Sequence, residues 1–559
     1  MSVSTIRHRL WVLGAALVLF CNSGFSEETS SVIAQDLRGG LSVADWVVVF
    51  LYMAGMIGIG VYYARRNKTA DDYYFGGRKM KPFMVGISLF ATLISTISYL
   101  SVPGEIMKHG PVAILDALAL PLIFVIVGFF IIPNIMKLRI TSAYEILETR
   151  LGRGVRLFGS TLFLSIRMIW MALVIFSASK IVIPCLGWGP DALPYVVIIL
   201  GTTTVVYASM GGLQAVVLTD VVQTFVMFGG AFLCIGIVTV RMGGFGWIPT
   251  EWSPTWDVQP VFSLDPAVRV TLLGTLIHST VWWISTCGSD QLAIQRYLAT
   301  RDANAARRAF LYNSAAMVAV SAILAALGFA LLSFYAAHPQ YQAGRFTIEQ
   351  EADYLFPHFV VNFSGYGAAG LVISGMLAAA MSSLSSGVTS TATVLNTDLV
   401  QNLIRRDLSE TDKVKLGKWA TAVIGVIVIL LALLIGIVPG NLYEVTTKTN
   451  GLFVAPMFGL FFMAMYVPWA TPAGATLGSL YGIFAAFVVA FWDLTGGAAL
   501  SFQWILASAL VVNIVSGCVF SLVPMQGKTR SYKTFMIAAM AMPLILCVCW
   551  FASACYWKG

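Results

Sequence analysis

Charge is what this chain has least of. Lys, Arg, Asp and Glu make up 11% of its 559 residues, against 58% apolar residues. Soluble domains carry roughly 25% charged residues, so a single water-soluble core is excluded. Cysteine is sparse as well. None of the eight forms a C-x-x-C pair or a Cys/His spacing of metal-ligand type, which argues against a zinc site or a redox pair. Cys185, Cys234, Cys287, Cys518 and Cys547 lie within or near apolar stretches and read as packing residues. No polar linker sets off a second domain, and no kinase, nucleotide-binding or receiver segment occurs. No catalytic triad or metal constellation appears, so the chain does not read as an enzyme.

What is present is a succession of apolar runs, each near the roughly 20 residues that cross a bilayer as a helix. They predict an all-α membrane protein of about fourteen transmembrane helices: 43–64, 83–103, 113–136, 157–182, 192–209, 214–240, 269–289, 309–336, 366–393, 417–438, 442–466, 471–493, 502–523 and 534–555. Ahead of them, Arg7 and Arg9 precede a short apolar core from Leu10 to Phe20, and small residues follow up to Ser26. This is the pattern of a secretory signal peptide over 1–26, with an uncleaved anchor as the alternative. Residues 27–559 then form one polytopic domain.

The net charge of +8 reports orientation rather than a nucleic-acid partner. Cations collect in alternate loops, as with Arg65, Arg66 and Lys68 after the first span, Arg153 and Arg156 after the third, and Arg296 and Arg301 after the seventh. By the positive-inside rule these loops are cytoplasmic, and both termini lie outside the plasma (inner) membrane. The external segment 337–365, with Glu349, Glu351 and Asp353, is expected to cap the outer face with a short helix.

Polar residues inside apolar spans are costly and face a bundle interior or a cavity. In span nine, Ser382, Ser385, Ser386 and Thr389 share one helical face, with Ser383 beside it. Hydroxyl oxygens suit a hard cation, but small residues also serve close helix packing. Span two concentrates Thr92, Ser95, Thr96 and Ser98 at mid-membrane. Such a helix is easily interrupted, and an unwound turn exposes carbonyls as further ligands; an ordinary polar face is the alternative. Asp220 completes a cation site by its charge, or caps a helix near the interface. Arg167 lies too deep in span four to snorkel and needs an anion: Asp220, a backbone carbonyl or a substrate carboxylate. His278 reads as a packed residue rather than a proton relay, and Trp282 and Trp283 as core or a stacking wall.

Three stretches then resemble the sodium/solute symporter family, whose members include sodium-coupled sugar, proline, sialic acid and monocarboxylate carriers. They are Gly211-Gly212-Leu213-Gln214-Ala215-Val216 through Asp220, Gly288-Ser289-Asp290-Gln291 through Leu298, and the Ala/Ser-rich span nine. The resemblance covers nearly the whole mature chain. It implies a LeuT-type 5+5 core, with inverted repeats at about 83–240 and 269–466. It also implies a main sodium site from Ala91, Ile94 and Ala379 carbonyls with Ser382 and Ser383 hydroxyls. A second site follows from Asp220, Ser382, Ser385 and Ser386, hence two Na⁺ per cycle and no other cofactor. Ser95, Ser98, Arg167, Trp283 and Thr286 are the substrate-facing candidates. Ile97 and Ser98 stand where a galactose-type member has carboxylate and amide groups, so galactose-like recognition is not implied. Arg167 on the third core helix favours a carboxylate-bearing solute, sialic-acid-like or a monocarboxylate, with a neutral sugar as the other class. A proton-coupled carrier of the same fold and a membrane sensor are the rival readings. A monomer or weak oligomer is expected.

Overall fold

Ser42 starts the first described helix. Its hydroxyl accepts the Asp45 N–H, and the Asp45 carboxylate accepts the Ser42 N–H, satisfying two orphan donors ahead of an apolar run. The same economy recurs at Thr271, Asp302 and Thr471, whose side chains cap later helices. The computed structural model describes residues 40–138, 140–342, 347–400, 409–434, 448, 450–495, 499–523, 538–539 and 541–543. Among these the regular structure is helical throughout.

The principal helices are α1 (Val43–Ala64), α2 (Pro82–Leu93), α3 (Thr96–His109), α4 (Val112–Met136), α5 (Arg153–Cys185), α6 (Leu193–Arg241), α7 (Leu272–Ser289) and α8 (Gln291–Leu298). They continue as α9 (Ala303–Ala337), α10 (Ile348–Phe363), α11 (Ala368–Val394), α12 (Glu410–Leu434), α13 (Val454–Tyr466), α14 (Pro472–Ala490) and α15 (Trp504–Leu522). Nine described helical stretches are long and apolar enough to cross a membrane, or ten with the bent pair α2–α3 as one span. The fourteen spans of the sequence reading are therefore not all recovered. The signal segment, most of the fourteenth span and Cys547 lie outside the described residues.

Three local differences from the sequence reading matter for the site. Span two is not one helix: Ile94 and Ser95 are extended, and α2 meets α3 at 66°. Spans five and six run together as α6, interrupted at one residue, Gly212, with φ +57° and ψ −160°. A Cβ there would sit 2.6 Å from the Tyr73 carbonyl oxygen, so both the turn and the close approach require glycine. Span seven ends at Ser289, but Asp290 is extended and caps a further short helix, α8.

Helix α11 is the hub. Every residue from Val372 to Val394 is buried, which its run of Gly, Ala and Ser permits by letting neighbours approach. Gly375 lies under the Met227 backbone of α6, and Gly387 under the Met171 side chain of α5. The Thr96 hydroxyl donates to the Met376 carbonyl (2.9 Å), and the Tyr99 hydroxyl to Met227 (2.8 Å), fixing α3 to α11 and α6. Segment 337–365 carries α10, which packs Leu355, Phe356 and Phe359 inward.

Two arginines counted as loop cations are in fact buried. Arg156 is 8% exposed and binds Asp398 (Nε–O 3.0 Å) and Glu148 (2.5 Å), while Ser142 and Ser160 donate to the other Asp398 oxygen. Arg296 is fully buried. Proximity to a span end in sequence misplaced both, because each has a carboxylate waiting inside the fold. At the far end of α3, Arg269 grips Glu105 with both fork nitrogens, at 2.6 and 3.0 Å.

Candidate cation and solute site

The break between α2 and α3 leaves the last carbonyls of α2 without helical partners. Two α11 hydroxyls meet them. Ser382 donates to Ala91 (2.9 Å) and to its own helix at Ala379 (3.2 Å). Ser383 donates to Ile94 (3.1 Å) and Thr92 (3.3 Å). The five residues expected at the main sodium site thus fall into two adjoining hydroxyl–carbonyl sets, Ser382 with Ala91 and Ala379 and Ser383 with Ile94, none exposed beyond the 9% of Ile94. The cluster carries no formal charge. Rotating the two hydroxyls turns their lone pairs inward, so the same oxygens that hold one another can hold a hard cation.

One turn further along α11 the chemistry changes. Ser88 of α2 donates to Asp220 Oδ2 at 2.5 Å, and Ser386 does so at 3.4 Å. Thr92 and Ser386 share a hydroxyl contact of 2.8 Å. The Arg296 guanidinium enters from α8, 3.6 Å from Asp220 Oδ2 and hydrogen-bonded to Ser386 Oγ. Of the four residues expected at a second site, Asp220 and Ser386 touch. Ser382 belongs to the first cluster, and Ser385 donates to the Ser382 carbonyl at 3.1 Å.

Ser98 and Trp283 line a cavity between α2–α3, α4, α7 and α9, together with Asp116, Thr275, His278 and Trp282. Ser95, Thr286 and Arg167 are not among its lining residues. Ser95 instead caps α3 by accepting the Ser98 N–H (3.4 Å). Arg167 is committed to Asp290, the residue at the α7–α8 break. None of the partners considered from sequence is the one it takes. The missed signal was available: a deep arginine demands an acid, and Asp290 closes an apolar run. Asp116 was missed outright. Among the described residues no Lys, Arg or His forms an ion pair with it.

The chain is 29% identical to the sodium/sialic acid symporter SiaT of Proteus mirabilis over 455 residues, 79% of this chain and 88% of that one. It is 29% identical to the sodium-coupled monocarboxylate transporter 1 of Xenopus laevis, over 81% of this chain and 72% of that protein. Its fold superposes on a solved substrate-bound, outward-open Na⁺-coupled sialic acid symporter with TM-score 0.73 and 26% identity, covering 86% and 98% of the two chains. The closed form of Mhp1, a nucleobase-cation-symport-1 family transporter, shares the fold at TM-score 0.52 and 13% identity, over 83% and 97% of the chains. All of these are transporters, not enzymes. The profile of the Sodium:solute symporter family matches residues 73–482, and this multi-pass membrane protein belongs to that family.

Proposed function

We propose that this chain imports a polyhydroxylated solute of the sugar or sialic-acid type across the plasma membrane by sodium-coupled alternating access. The observation that carries the coupling is the meeting of the Ala91, Ile94 and Ala379 carbonyls with the Ser382 and Ser383 hydroxyls. A cation there bridges the α2–α3 break to α11. It favours whichever state brings those elements together, by its differential affinity for the two states. A second sodium ion uses Asp220, Ser386, Ser382 and Ser385. Residues 83–240 and 269–466 act as the two inverted repeats around this point, with both termini on the outer side.

The solute class follows from the cavity. Asp116 accepts hydroxyl hydrogen bonds, Ser98 and Thr275 add small polar groups, and Trp282 and Trp283 offer flat apolar faces for a sugar ring. A short monocarboxylate offers few donors to such a wall, and Arg167 is held elsewhere.

Uptake into proteoliposomes at a clamped potential tests the proposal. Sodium-driven uptake is expected to show a Hill slope near two, falling to one in Ser386→Ala. A wild-type slope of one, unchanged in that variant, removes the second ion. Uptake that persists when choline replaces sodium overturns the coupling. Thermal shift of the purified protein in sodium tests the solute: a shift with sialic acid or a hexose is expected. A shift with short monocarboxylates alone overturns the class.

A further inference from the structure

Asp220 already has a cation beside it. The Arg296 guanidinium lies 3.6 Å from its Oδ2 and takes a lone pair of Ser386. Both are oxygens that the second sodium ion would need. Building on the two-ion reading above, we propose that Arg296 and the second sodium ion are alternatives for Asp220, so that the ion enters only as the guanidinium withdraws.

The geometry carries this in three ways. First, an ion coordinated by Asp220 and Ser386 would stand within a few ångströms of the guanidinium in a site where every named group is buried. Like charges repel strongly there, so the two cannot share the carboxylate. Second, each partner is incompletely satisfied in this arrangement. Among the described residues Asp220 Oδ1 and Arg296 Nε make no hydrogen bond, and Arg296 Nη1 makes a long one of 3.4 Å to the Leu292 carbonyl. A buried oxygen without a donor, beside a bound cation, is an open ligand position. Third, Arg296 sits on a helix of eight residues, cut from α7 by extended Asp290. A short segment behind a break moves its side chain without unpacking a long span.

The guanidinium is thus a tethered stand-in for sodium. It keeps Asp220 neutralised when the ion is absent, which a buried carboxylate requires. It also links ion entry to the position of α8, on the side predicted to be cytoplasmic. Arg296 is a positioning residue: it touches the ion's ligands and not the solute.

The test is sodium dependence of uptake, and of thermal stability, in the full chain. In Arg296→Gln, half-saturating sodium is expected to fall about 10-fold, equivalent to about 1.4 kcal/mol, because the competitor is gone. In Arg296→Lys the fall is expected to be smaller, about 3-fold, since an ammonium lacks the fork but keeps the charge. Asp220→Asn with Arg296→Gln should return a Hill slope of one. Unchanged or raised half-saturation in both single variants overturns the proposal. If Arg296→Gln is recovered only in sodium while the double variant needs none, sodium has replaced the guanidinium and the proposal stands. If Arg296→Gln fails to fold even in saturating sodium while the double variant folds, it falls. If neither folds, Arg296→Lys decides by the same measure. A wild-type slope of one that becomes two in Arg296→Gln would sink the two-ion cycle and keep the competition.

Discussion

At Ser382 and Ser383 the α11 hydroxyls meet backbone carbonyls; one turn on, at Ser386, they meet a carboxylate and a guanidinium. The first cluster is neutral and self-satisfied. As the proposed cation site it would need only hydroxyl rotation, and none of its own five groups would be left charged when the cation left. The second is a buried ion pair whose members depend on each other. Sites with similar oxygens can therefore differ in what their loss does. Breaking the neutral cluster should cost transport, and breaking the charged one should cost the fold.

The largest effect is expected from Asp220→Ala, which strands Arg296 as an unpaired buried charge. Loss of one member of a buried pair costs about 3–5 kcal/mol, so thermal unfolding in detergent should move sharply down. Adding Arg296→Gln should restore most of the loss; no restoration would mean that the pair is not what holds this region. A similar but smaller loss is expected for Arg167→Ala, which leaves Asp290 alone at the α7–α8 break, because Arg167 keeps 16% side-chain exposure. Rescue by Asp290→Asn would mark the pair as structural. A fall in solute affinity without a fall in stability would instead return Arg167 to the substrate.

Ser382→Ala belongs to the other side of the comparison. Stability should drop by about 1–3 kcal/mol for the unsatisfied carbonyls. Sodium-driven uptake should weaken by at least about 10-fold in half-saturating sodium, equivalent to about 1.4 kcal/mol. An unaltered sodium dependence would break the assignment of the neutral cluster. The smallest effect concerns neither cluster and serves as a baseline. Asp302 accepts the Ala305 N–H at the start of α9, which holds its carboxyl below the usual carboxylate range. Its contribution is therefore present above about pH 4 and is lost as pH falls through the lowered value. Asp302→Ala should cost about 1 kcal/mol at neutral pH and nothing in sodium dependence.

For the neutral cluster, the residue pattern alone left a cation site and close helix packing open, and the family resemblance named the five residues. Ser382 lies on the hydroxyl face of α11 with Ser383 beside it, and the hydroxyl and β-branched run from Thr92 to Ser98 marks a helix prone to open. The 66° bend shows the opening between α2 and α3, and Ser382 and Ser383 each donate to carbonyls at it. The charged cluster was only half readable. Asp220 stood out as an acid in an apolar run, but Arg296 hid among the loop cations. Counting charges along the chain cannot tell a solvated arginine from one folded back onto an acid. Arg156 was lost in the same way, since its partner Asp398 lies 242 residues on. Pairings of that range are set by helix packing, which one-dimensional periodicity does not encode.

The two-residue opening at Ile94 and Ser95 has one more consequence. Its carbonyls belong to one stretch of chain and the hydroxyls facing them to another, so the width of the neutral cluster is not set by either helix alone. It is set by how α2 is seated. Gly86 of α2 rests on the Ala309 carbonyl of α9, where an added Cβ would come within 2.3 Å. Preference among lithium, sodium and potassium depends on such widths. If the proposed cation site is the coupling site, ionic discrimination would be held in part by a contact more than a turn from Ala91, where a single methyl group would retune it without altering one coordinating atom.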